Sequence, residues 1–507
     1  MPHPWTASRT THRKLRRAIP ALLLATTLLT ATGAAAAEPP GAADPAVITT
    51  WNAVAVTTIA GPSPTGAGKA NVEAFLWYGF VQAAVYNAVN GITGEYELYN
   101  WNTKGPAGAS PQAAAAAAAH RVLVTYFGGT PTVGPSITAN LDTALATSLA
   151  LVPNGPSKDQ GVQYGIAAAD RLISLRANDG RNAPIVFNVT TLPGGWRPTP
   201  PANAAYFDPW LGQVKPLMLD TPSQFRPGPP PAIASSLYVT EFNEVRDYGV
   251  KAGSLRTAAQ TETALFFSDI PVGPIQAALR DLVTRRGLDI SESARLFAAV
   301  DMSLADTAIA AWDAKFLYGW WRPITAIREA ETDGNPLTTG VPAWEPLVAN
   351  PPYPDWPSGL TGVIAALSTT LSRLNSDGRV DLNITSVAAG QGGPSVTRHY
   401  DDAAVLQRDA VDGRVWSGIH FRTADTAGVA LGVQVGNWAL DHYFAAVPAP
   451  VPTPIPPTPA PQITAPPTDV GESGGAPLDG GDPWMAISLL TLLGYVVYER
   501  TRAVRRR

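Results

Sequence analysis

The sequence predicts a mainly α protein built on one large helical domain, and three observations carry that expectation. Apolar residues recur at helical spacing over long stretches between residues 38 and 446. Alternating strand patterns are scarce there. The joints between the periodic stretches are rich in Pro and Gly, which punctuate helices rather than extend them.

Taken in order, the predicted helices are these. Residues 71–90 and the alanine-dense run 111–127 open the domain, and an amphipathic stretch follows over 158–177. Residues 237–269 hold one or two helices. Residues 292–321 are apolar on most faces, which marks a central helix. Stretches at 359–376 and 400–445 complete the set. Residues 193–231 are laden with proline and read as a long irregular insertion, of a length associated with functional or covering loops.

The ends are of a different kind. Arg9, Arg13, Lys14, Arg16 and Arg17 precede an apolar run from Ile19 to Leu29 and the small residues Ala34 to Ala37. This is the pattern of a secretory signal peptide over residues 1–37; an uncleaved anchor is the alternative. Residues 447–483 form a Pro- and Gly-rich spacer. Residues 484–498 are uncharged and mostly apolar, and residues 499–507 carry five arginines, an order that follows the positive-inside rule. The expectation is a single-pass anchor with a basic cytoplasmic tail. The segment has 15 residues, against the roughly 20 that usually span a bilayer, and an amphipathic tail is the other reading. The domain is thus expected outside the cell, held on the outer face of the cytoplasmic membrane.

Composition excludes several functions. There is no cysteine, so disulfides, thiolate metal sites and cysteine nucleophiles are ruled out. Without the ten cations of the leader and the tail, and without Glu499, the remaining residues hold 26 Lys and Arg against 39 Asp and Glu, a net charge near −13. That balance argues against a nucleic-acid partner. It also makes any cluster of cations a local feature.

Such a cluster is predicted from three segments. Lys315 is followed after six residues by Arg322-Pro323, Pro357-Ser358-Gly359 opens a helical run, and Arg414 is followed after five residues by His420. Lys315 and Arg322 sit in an aromatic stretch, Trp312 to Trp321, where an uncompensated charge is costly. They call for an anion, or else for buried ion pairs with Asp301, Asp306 or Asp313. A helix start at Ser358 presents N–H groups to an anion, although any helix start does so. His420, flanked by Gly418 and Asp425, suits a nucleophile or metal ligand.

Together these segments resemble the vanadium-dependent haloperoxidase and type 2 phosphatidic acid phosphatase superfamily, whose pattern is Lys-x6-Arg-Pro, Pro-Ser-Gly-His and Ser-Arg-x5-His. Further similarity runs through Asn243-Glu244-Val245, Ala311 to Lys315, Trp321 to Arg328, Asp333 to Pro336 and Gly418 to Asp425, so the resemblance spans roughly residues 50–445. It implies a helical-bundle fold. It implies that Lys315, Arg322 and Arg414 neutralise the oxygens of bound vanadate or phosphate, with Ser358 and the Gly359 amide as further donors. His420 would be the axial ligand of vanadate, or the nucleophile of a phosphatase. Trp312 and Tyr353 would line the pocket. Two positions depart from the pattern. Gly413 replaces a serine, and Leu360 stands where the family has its acid–base histidine. His399 is one conceivable substitute. The expected function is an exported haloperoxidase that oxidises halide with hydrogen peroxide and acts on a small organic substrate. The alternatives are an acid phosphatase acting on phosphate esters, and an oxyanion-binding surface protein without catalysis.

Overall fold

The computed structural model describes residues 43–69, 72–268, 272–387 and 395–448. The leader, most of the spacer, the apolar segment 484–498 and the basic tail lie outside the described residues. Among the described residues, no helix is long and apolar enough to cross a membrane.

Thirteen α-helices and one hairpin follow in order among these residues: α1 Ala46–Ala60, α2 Glu73–Thr93, α3 Pro111–Phe127, α4 Gly134–Ala150, α5 Pro156–Leu175, α6 Ser236–Tyr248, α7 Ala258–Phe266, α8 Val272–Arg286, α9 Ile290–Tyr318, α10 Pro323–Arg328, α11 Gly359–Leu374, β1 Leu382–Val387, β2 Ser395–Tyr400, α12 Ala403–Ser417 and α13 Arg422–His442. The strands pair antiparallel, from Leu382 opposite Tyr400 to Val387 opposite Ser395.

Helix α9 is the axis of the bundle. A capping box starts it: Asp289 accepts from the Glu292 N–H at 2.8 Å, and Glu292 accepts from the Asp289 N–H at 3.1 Å. Its side chains are buried on nearly every face, between α2 on one side and α11 on the other. It stops at Gly319, which holds the left-handed conformation at φ 53. Helix α3 is capped by Ser110 and started by Pro111, and its run of buried alanines lets it lie close to both α2 and α5.

Helices α11 and α13 meet along a glycine seam. A Cβ at Gly428 would stand 2.3 Å from the Ser358 carbonyl oxygen, and one at Gly432 would stand 2.0 Å from that of Gly362. Backbone therefore lies on backbone, and only glycine fits. The seam brings the head of α11, with Ser358, against the head of α13, just after His420.

The structure departs from the sequence expectations in several places. Helices α1, α4 and α8 and the hairpin have no counterpart among the predicted elements. The central helix ends at Tyr318 rather than 321, and Arg322 adopts an extended conformation as the N-cap of α10. Lys315 and Arg322 are therefore brought together by the turn at Gly319. The stretch 400–445 is two helices split at Gly418–Phe421. The insertion 193–231 is irregular apart from a short 3₁₀ turn at Pro209–Gln213.

Candidate active site

Three chain breaks build the site, and two have the same design. Gly319 separates Lys315 in the last turn of α9 from Arg322, and Gly418, at φ 81, separates Arg414 in the last turn of α12 from His420. Each left-handed glycine folds the chain back, so that the two side chains flanking it face one volume. The third break is the start of α11, where Ser358 is the N-cap and its hydroxyl makes no capping bond.

All five of these side chains are buried. Lys315, Arg322 and Ser358 are 0% exposed, His420 1% and Arg414 5%. Lys315 Nζ donates to the Pro354 carbonyl at 2.6 Å and to that of Asp355 at 3.0 Å. Arg322 Nε donates to the Tyr353 carbonyl at 2.8 Å, and Nη1 to the Ile419 carbonyl at 2.7 Å. The same Nη1 lies 3.1 Å from His420 Nε2. Arg414 Nη1 donates to the Phe267 carbonyl at 2.9 Å. Gly359 backs onto the ring of Trp312: a Cβ there would lie 3.1 Å from that ring and 4.0 Å from Lys315 Cε. Tyr353 packs on Trp312 at 4.7 Å between centroids, and its ring lies under both Lys315 Nζ, at 5.1 Å, and the Arg322 guanidinium, at 5.0 Å.

Several donors in this cluster have no acceptor within the protein. Arg322 Nη2, Arg414 Nε and Ser358 Oγ are buried and unpartnered. Buried polar groups left in this way cost free energy unless something else satisfies them. They fit an oxyanion, which presents several acceptors to converging donors. Two carboxyl groups share the volume: Asp355, to which no motif points, and Asp425. Asp355 Oδ1 lies 3.6 Å from Arg322 Nη1 and 2.6 Å from His420 Nδ1. Asp425 is buried with both oxygens unpartnered and faces Ser358.

The electrostatics follow from burial. Burial, then Arg322, pushes Lys315 well below its ordinary value. Burial, then Arg322, Arg414 and Lys315, pushes His420 well down, so its imidazole is neutral at physiological pH. Burial raises Asp355 to about 7 and Asp425 well above the ordinary carboxyl range.

The remaining candidate residues lie elsewhere. Asp301 accepts from Gln276, Asp306 from the backbone of the insertion, and Asp313 from Arg226, so none is the ion-pair partner considered for Lys315 and Arg322. His399 is on exposed β2, bonded to Asn383 and Asp401. It contacts no member of the buried cluster and does not replace the missing histidine. Leu360 lies in an apolar pocket with Phe266, Phe267, Ile275, Ile364 and Ile384.

Comparison with known proteins agrees with this architecture. Residues 295–448, which contain all the buried cluster, match the VCPO second helical-bundle domain family. Vanadium chloroperoxidase of Curvularia inaequalis is 27% identical over a stretch that takes in 26% of this chain and 28% of that protein, so the match spans just over a quarter of the curated relative. The fold is similar to the first bacterial vanadium-dependent iodoperoxidase, with a TM-score of 0.64 at 20% identity, covering 82% of this chain and all of that one. A holo-type bacterial vanadium-dependent chloroperoxidase gives 0.60 at 20% identity, covering 80% of this chain and 98% of that one. These findings support the vanadium-dependent haloperoxidase superfamily for residues 295–448 and a shared fold for most of the chain.

Proposed function

We propose that this protein is a vanadate-dependent haloperoxidase that oxidises halide with hydrogen peroxide. The observation that carries the reading is the set of buried donors without protein acceptors, Arg322 Nη2, Arg414 Nε and Ser358 Oγ, beside a neutral histidine. Vanadate, when bound, would supply Lewis acidity toward peroxide. The chain's own residues do the rest. Lys315, Arg322 and Arg414 would hold the oxyanion by charge, and Ser358 Oγ and the Gly359 N–H would donate to it. His420 would present an imidazole lone pair to it. Trp312 and Tyr353 exclude water from one wall. The reactants on this reading are a halide such as bromide, hydrogen peroxide and a small organic acceptor.

The protein is further proposed to be exported, with residues 1–37 removed and residues 484–498 as the anchor. This rests on the basic leader with its apolar run and on the arginine-rich tail. Protease treatment of intact cells should release the helical domain by cutting within 447–483; a protected domain would count against export.

The activity is tested with the full chain. Vanadate binding, bromination with peroxide and hydrolysis of p-nitrophenyl phosphate are measured on the parent and on His420→Ala. Vanadate-dependent bromination, lost in His420→Ala, supports the proposal. Phosphate-ester hydrolysis without bromination assigns the cage to the phosphatase branch. Bound vanadate with neither activity assigns it to a silent oxyanion binder, and no vanadate binding removes all three readings.

A further inference from the structure

The buried carboxyl of Asp355 is not accounted for by the donors that surround the oxyanion position. It lies three residues before Ser358, and its backbone is fixed on both sides: the Asp355 N–H donates to the Trp320 carbonyl at 2.9 Å, and its own carbonyl accepts from Lys315 Nζ at 3.0 Å. The side chain is 0% exposed, and neither carboxyl oxygen has an aligned hydrogen-bond donor. Oδ1 is 2.6 Å from His420 Nδ1, and the Phe421 backbone N–H faces the same group. Of the two cations near it, Arg322 Nη1 is at 3.6 Å and already committed to the Ile419 carbonyl at 2.7 Å, and Lys315 Nζ donates to the Pro354 and Asp355 carbonyls.

A buried acceptor in this position settles which imidazole nitrogen carries the proton. With Nδ1 turned to an oxygen, the favourable tautomer has hydrogen on Nδ1 and the lone pair on Nε2. The opposite tautomer would set the Nδ1 lone pair against an oxygen of the Asp355 carboxylate at 2.6 Å. Arg322 Nη1, a donor, lies 3.1 Å from Nε2 and 3.4 Å from Nδ1 and so discriminates little between them. The Asp355 contact therefore selects the form in which Nε2 accepts.

We propose that Asp355 is the positioning residue of His420, holding its Nδ1 side so that Nε2 presents the lone pair to the oxyanion. This deepens the haloperoxidase reading and rests on it, because the lone pair matters only if an oxyanion binds there. Supporting carboxylates of this kind orient ligating histidines, and their loss typically costs about 10- to 100-fold in affinity or activity. Asp355 touches no reacting atom, and its carboxyl acts through His420.

The test uses full-length protein labelled with ¹⁵N-histidine and carrying no vanadate, with the His420 signals assigned by their loss in His420→Gln. The parent should show His420 as the Nδ1–H tautomer. Asp355→Asn, whose amide can turn its donor to the ring, should change those signals toward the Nε2–H form and leave the other histidines unmoved. Asp355→Glu should restore the parent pattern at least in part. Vanadate affinity, titrated separately by ⁵¹V NMR, should fall about 10- to 100-fold in Asp355→Asn. An Nε2–H tautomer in the parent overturns the proposal, and that measurement needs no folded variant. An unchanged His420 spectrum in a folded Asp355→Asn also overturns it. A parent that shows the Nδ1–H tautomer, sensitive to Asp355, but binds no vanadate overturns the haloperoxidase reading and leaves the positioning contact standing.

Discussion

Leu360 is the residue where this chain differs most from the motif it otherwise follows. Its side chain lies among Phe266, Phe267, Ile275, Ile364 and Ile384, and the Phe267 carbonyl in turn holds Arg414. The position thus borders the cage without contributing a proton to it. Leu360→His should raise bromination turnover by about 10²-fold, the lower end of what positioned acid–base groups supply. Vanadate affinity should change less than about threefold, because the charge-assisted donors are untouched. Parallel measurements of binding and turnover check both halves. Unchanged turnover with vanadate bound would show that another group already moves the proton. The variant should also melt lower, since an imidazole replaces apolar contacts in that pocket.

At the scale of elements, Asp306 is one of several side chains that staple the proline-laden insertion to the central helix. Asp306 on α9 accepts the N–H groups of Leu217, Met218 and Leu219 at 2.6, 2.7 and 2.9 Å. Asp306→Ala leaves three buried donors unsatisfied and should cost about 3–5 kcal/mol, read by urea unfolding. Limited proteolysis should then cut first within 198–220. The long periodic helices α2, α3, α5, α9 and α11 are legible in the sequence because burial on a definite face writes a definite period. Helix α1 is not, because Ala46–Ala60 is rich in Val, Ile and Thr and lacks a clear polar face. Helix α4 is not, because few of its residues are buried. The hairpin strands are six residues each, too short for alternation to stand out. In the site, the cations and His420 are legible as a spaced motif. Asp355 is not, since a carboxylate in a loop gains meaning only when folding sets it beside an imidazole 65 positions away.

For the whole molecule, the stability should depend on pH through carboxyls buried far from the cage. Asp301 is 0% exposed, accepts from Gln276 Nε2 at 2.6 Å on one oxygen, and has no partner for the other. Burial raises it from 3.8 to about 7. The folded state therefore holds a proton that the unfolded chain has released between those values. Its stabilising contribution is fully present below about pH 4 and is lost as pH rises through about 7. Asp301→Asn should flatten the dependence of the melting temperature on pH between 4 and 7, with its gain over the parent greatest at the alkaline end. An identical slope in both proteins would show that Asp301 does not release its proton in that range.

The glycine seam has a thermodynamic consequence for whatever anion the cage accepts. Ser358 heads one helix of the seam and His420 precedes the other, so a ligand bridging them closes the same contact that Gly428 and Gly432 permit. Occupancy and helix pairing are then linked functions. At vanadate a hundredfold above its dissociation constant, the folded state gains about 2.7 kcal/mol. The gain should appear locally as slower amide hydrogen exchange at the first turns of α11 and α13, with little change in α3 or α5. Conversely, Gly432→Ala would part the backbones and should weaken the anion from a distance, turning a packing defect into a loss of affinity.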